Sequence, residues 1–148
     1  MQKEVKKINK NWYRAKDLKG QWKYGSLINL DEGFCYIVPP CNGASTYSPN
    51  QLVVLNMTRV NPETVCQYTG LYDKNEKSVW ENDIVARRDA KGNIRALGVV
   101  RYGAFNCSCC DGVFGWTFDG DVDIREPYFY EVIGNIFDNP ELLKGVEL

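Results

Sequence analysis

The densest concentration of reactive side chains is Cys107-Ser108-Cys109-Cys110, with Cys35 and Cys41 far upstream. Thiolates are good zinc ligands, and a structural site needs four of them in tetrahedral geometry. More than sixty residues of chain separate the two groups, so a shared site depends on the fold bringing them together. If the segment is extended, adjacent Cys109 and Cys110 also point to opposite faces. Incidental thiols are therefore the first reading for Cys35, Cys41, Cys107, Cys109 and Cys110, a metal site the weaker one, and no cofactor is expected. Cys66 is expected to act in packing.

The chain has no histidine. That removes Ser-His-Asp and Cys-His catalytic units, His-x-Glu deaminase sites and HExxH metalloproteases at once. Asp119-Gly120-Asp121-Val122-Asp123 has the look of a calcium loop, but such a loop needs Gly at its sixth position and Glu at its twelfth. Those positions hold Ile124 and Tyr130, so an acidic turn is expected. Nothing marks a catalytic residue, and the chain reads as a non-enzyme.

Lys10, Trp12, Tyr13, Arg14, Lys16, Trp22, Lys23 and Tyr24 interleave cations with rings inside fifteen residues. Small β folds hold single-stranded nucleic acid by combining a basic groove with aromatic platforms. A strand pair with rings inward and lysines outward produces the same pattern, and that reading ranks first.

The elements that would position these residues are short strands. Trp12–Ala15 and Gln21–Asn29 flank a turn at 17–20, and Phe34–Val38 ends at Pro39-Pro40, since proline cannot donate to a ladder. Residues 39–50 read as a turn-rich loop. Gln51–Met57 and Val65–Tyr68 follow, separated by Asn61-Pro62. Asp73–Lys77 reads as a hairpin turn, with Asn75 suited to the left-handed conformation. Glu81-Asn82-Asp83 is a tight corner, Ile94–Tyr102 a strand, and 103–120 a set of short aromatic strands. In the Tyr128–Phe137 strand, Gly134 marks a bulge or a close approach. Asn139-Pro140-Glu141 then reads as the cap and start of a short helix, Pro140–Lys144.

The 148 residues suit one compact domain. Nine Tyr and four Trp, with thirteen Gly and six Pro, favour strands and turns. Net charge is −1, but residues 1–30 carry eight Lys/Arg against two acids, and residues 111–148 carry two against nine. Mutual attraction of the two ends, within a chain or between subunits, is the simplest consequence. No leader or membrane span is evident, so a cytoplasmic protein with reduced thiols is expected.

Three stretches together resemble the YopX family of bacteriophage proteins. They are Tyr13-Arg14-Ala15-Lys16 with Trp22–Leu27, the segment Glu63–Val85 (ETVCQYTGLYDKNEKSVWENDIV), and Glu131–Leu143 (EVIGNIFDNPELL). Two glycines of the family's central pattern are replaced here by Glu76 and Asn82. The resemblance implies a β-rich fold and an origin in phages or prophages. It implies no established activity, so no catalytic residue is carried over.

The resulting expectation is a mostly-β fold: a small barrel or meander sheets, an SH3-like barrel being one form, with a short C-terminal helix. It is read as a single domain over 1–148, with a meander in 1–60 and a small barrel in 61–148 as its two lobes. The expected role is a phage or prophage accessory protein in the bacterial cytoplasm, binding a host or phage protein and capable of self-association. Single-stranded nucleic acid is the alternative partner, and no membrane is expected.

Overall fold

The computed structural model describes residues 12–31, 33–40, 44–48, 51–54, 56–107, 110–119 and 129–145. The strands are β1 (Tyr13–Lys16), β2 (Trp22–Asp31), β3 (Phe34–Val38), β4 (Ala44–Ser48), β5 (Gln51–Val54), β6 (Thr58–Val60), β7 (Cys66–Tyr72), β8 (Ser78–Trp80), β9 (Asp83–Arg88), β10 (Ile94–Cys107), β11 (Cys110–Asp119) and β12 (Tyr130–Asn135). Contacts divide the chain into two units, 1–68 and 69–148. The fold is mostly β, as the turn and aromatic content required.

In the first unit the strand order is β6-β3-β2-β1, with the start of β7 on the far side of β1. The period-2 pattern of β3 turns Cys35 and Ile37 inward, where they pack with Ala15, Val60, Tyr13, Leu27 and Val65. Beyond β6, Pro62–Thr64 form a 3-10 turn whose first free N–H, that of Glu63, is taken by the Asn61 side chain at 3.0 Å. This turn ties back to β1: Asn61 N–H donates to the Lys16 carbonyl at 2.8 Å, and Lys16 N–H donates to Thr64 Oγ1 at 2.8 Å. β4 and β5 form a separate two-stranded antiparallel hairpin.

In the second unit the order is β11-β10-β9-β12. Its core is Val79, Val85, Val100, Phe118 and Tyr130, with Phe118 edge-on to Tyr130 at 5.3 Å. The later part of β7 joins β8 in this unit, where Thr69 Oγ1 donates to the Val79 carbonyl at 2.6 Å.

Four expectations need correction. Among the described residues there is no closed barrel. The first sheet curls until β6 reaches the end of β1, but the join is one bridge, Asp17 to Val60, because β6 has three residues and Pro62 follows. The second sheet is open, with β11 and β12 at its edges. The C-terminal helix is a 3-10 turn, Pro140–Leu143, because the Asn139 side chain accepts from the Asn135 N–H at 3.3 Å instead of capping. The loop expected over 39–50 contains β4, whose Thr and Tyr suit a strand. Lastly, the residue with positive φ in the 73–77 turn is Glu76, at 62°, rather than Asn75. Gly134 fulfils both parts of its expectation: β12 bulges between Val132 and Gly134, and a Cβ there would collide with the Asn139 side chain.

Candidate functional site

The β1–β2 hairpin sorts the basic-aromatic stretch onto two faces. Register pairs Arg14 with Tyr24 and Lys16 with Trp22, so these four share one face, while Tyr13 and Ala15 turn to the core. The Arg14 guanidinium sits 4.6 Å from the centre of the Trp22 ring and the Lys16 ammonium 5.3 Å from it. Arg14 is buried to 7% exposure, whereas Tyr24 is 44% exposed. Lys23 lies 3.9 Å from the Asp17 carboxylate. Trp12 is half-buried, with its carbonyl accepting from Tyr68 N–H at 3.0 Å. Lys10 lies outside the described residues.

The cysteines do not assemble among the described residues, which contain no group of three or more Cys, Asp or Glu able to hold a metal. Cys35 is buried and donates to Asn29 Oδ1 at 2.8 Å. Cys66 is buried and donates to the Thr64 carbonyl at 3.3 Å, in keeping with packing. Cys107 and Cys110 stand opposite each other in register where β10 meets β11. Cys41, Cys109 and the acidic turn 120–123 lie outside the described residues.

The first unit has an open groove of about 510 Å³ over Leu27, Leu30, Cys35, Pro62 and Val65. That is within the volume range of ligand sites, but its lining is chiefly aliphatic and Asn29 already accepts from the Cys35 thiol. No convergent pair of acid and base stands there. Elsewhere in this unit Asp17 has its pKa held below the usual carboxylate value, first by the Gln21 backbone N–H and then by Lys19 N–H and Lys23.

The second unit presents a different surface. β9 pairs with β10 only as far as Val99, yet β10 and β11 run on together to Cys107 and Cys110. The result is a two-stranded ribbon that leaves the sheet. Its cross-strand pairs Val100–Phe118, Tyr102–Trp116 and Ala104–Phe114 alternate onto one face. The first pair lies in the core, and Trp116 packs at the margin of that core. Tyr102 stands edge-on to Trp116 at 5.3 Å and is 61% exposed, and Phe114 is 70% exposed. An apolar stripe thus runs out of the core into solvent. Sequence reasoning saw aromatic strands here but not this surface. The signal was the alternation of rings with Gly and Thr in Phe114-Gly115-Trp116-Thr117-Phe118, which a single long hairpin aligns.

The profile of the YopX protein family matches residues 6–144. The chain belongs to the YopX family. No curated protein matches it. Among solved structures, the crystal structure of protein EF1440 from Enterococcus faecalis is similar, with a TM-score of 0.56 and 23% identity over 88% of this chain and 96% of that one. At that identity the likeness concerns the fold.

The residues that carry YopX membership have structural duties here. Asp73 accepts from the N–H groups of Asn75 at 2.8 Å, Lys77 at 2.9 Å and Val132 at 2.8 Å. Asp83 Oδ2 accepts from Trp80 N–H at 2.8 Å and closes the corner in which Asn82 takes a φ of 66°. Asn135 Oδ1 accepts from the N–H groups of Phe137 at 3.0 Å and Asp138 at 2.9 Å. Among the described residues of this YopX chain, no helix is long and apolar enough to cross a membrane.

Proposed function

We propose that this YopX chain is a phage or prophage accessory protein of the bacterial cytoplasm that binds another protein and performs no catalysis. The observation that carries the reading is the aromatic face of the β10–β11 ribbon. A two-stranded ribbon is marginal in water, and contiguous exposed apolar surface marks an interaction site. Aromatic anchors of this kind dominate the energetics of protein interfaces. Single-stranded nucleic acid ranks behind, because the Trp22 ring that would stack on a base is already approached by Arg14 and Lys16.

The test is site-specific photocrosslinking in the bacterial host, with the crosslinking amino acid placed at Tyr102, at Phe114, and at Lys91 as an exposed control. Discrete adducts with a protein at 102 and 114, absent at 91, are expected. Equal labelling at all three positions, or none, sinks the reading.

A further inference from the structure

We infer that the outer edge of β11 receives an extended segment of a partner protein, added as one more strand, and that this segment carries Lys or Arg around an alternating apolar centre. The inference rests on the ribbon being an interaction site and specifies how it is occupied.

Asn82 N–H donates to the Val100 carbonyl at 2.8 Å, so Val100 turns its polar groups towards β9 and away from β11. In a strand the N–H and C=O of one residue point the same way, and those of its neighbours point oppositely. Val100–Phe118, Tyr102–Trp116 and Ala104–Phe114 are therefore the pairs without mutual hydrogen bonds. It follows that Phe114, Trp116 and Phe118 direct their own N–H and C=O outward, along an edge with no strand partner among the described residues.

Folded proteins protect such edges with charge, proline, shortness or a cover. Two of the other edges, those of β6 and β12, are protected. β6 is three residues long and is followed by Pro62. β12 is covered, because its Val132 N–H is taken by Asp73 and its Tyr130 carbonyl by Lys74 N–H at 2.9 Å. β11 is ten residues long and has neither Lys nor Pro. Its residues 112–118 are uncharged, and Phe114 and Trp116 carry rings.

Charge selects the occupant. β11 has Asp at 111 and 119 with no Lys or Arg between, in a terminal region that is acidic as a whole. A second copy pairing antiparallel about Gly115 would set position 111 against position 119, acid against acid, at both ends. Like charges directly opposite destabilise a pair. A foreign strand with basic ends satisfies the same positions.

The probe is a fluorescein-labelled peptide of alternating Val and Thr with two Lys at each end, and its control carries Glu in place of Lys. Anisotropy measures binding to the full chain, and amide hydrogen exchange reads the edge. The Lys peptide is expected to bind at least tenfold more tightly than the Glu peptide, with slowed exchange at Phe114, Trp116 and Phe118. Phe114→Ala removes a ring, whereas Phe114→Pro removes the ring and an outward N–H, so F114P should weaken binding several-fold more than F114A. No binding, equal binding of both peptides, or unchanged exchange at those amides overturns strand addition. So does a chain that dimerises through β11 in light scattering. Crosslinks at Tyr102 combined with an unprotected edge would leave the interaction reading standing and remove this mode of it.

Discussion

At the scale of single residues, one turn recurs three times. Asp17, Asp73 and Asp89 each accept from the N–H groups two and four residues on, and the fourth residue of each turn has positive φ. That fourth residue is Gly20 at 81°, Gly92 at 84° and Glu76 at 62°. A side chain in the left-handed region is disfavoured by roughly 1–2 kcal/mol, and glycine is not. Glu76→Gly is therefore expected to stabilise the protein by about 1 kcal/mol, read as a higher urea midpoint with unchanged slope. Gly92→Ala, the mirror experiment, should lower it. The sequence suggested Asn75 because Asn tolerates this conformation best. It is the Asp carboxylate, by holding both N–H groups, that dictates which residue takes the strained position.

At the scale of elements, Asp73 is the residue on which two of them meet, since its carboxylate serves both the turn after β7 and the edge of β12. Asp73→Ala leaves the partly buried N–H of Val132 without its acceptor and is expected to cost about 2–3 kcal/mol. Exchange at the Val132 amide should accelerate in step, and a variant as stable as the parent would show that the carboxylate is dispensable. Most strands were legible before the structure because short apolar and aromatic runs such as Phe34–Val38 are bounded by turn residues. The ribbon was not legible as a surface. Its exposure follows from where β9 ends, and strand length relative to a neighbour is a property of pairing that no local pattern encodes. The helix at Pro140 failed for a similar reason, because Asn139 had a second possible partner, the backbone of Asn135. The hairpin at Trp22 was expected to turn its rings inward and its lysines outward, but its register puts Trp22 and Tyr24 on the same face as Arg14 and Lys16.

At the scale of the whole molecule, acid should unfold the protein through identifiable carboxylates. The Asn93 backbone N–H lowers the pKa of Asp89, helped by Arg95 and Lys91 N–H, and the Arg88 side chain lowers that of Glu131, with Lys74 adding to it. Asp17 behaves alike. A group whose folded pKa lies below its unfolded value stabilises the fold above the unfolded pKa and stops doing so as pH falls through the folded one. With no histidine to titrate near pH 6.5, stability should be level from about pH 6 to 7.5 and decline below about pH 5. Urea midpoints across pH 3–8 check this, and an equal midpoint at pH 3 and pH 7 would contradict it.

The covered edge of β12 has a further consequence for how far any assembly can grow. A sheet open on both sides can template a neighbour that is itself open, and the process repeats without limit. Here one side is stoppered by Asp73 and Lys74, so the sheet is a terminus rather than a link. Growth by strand addition is thereby barred from the β12 side.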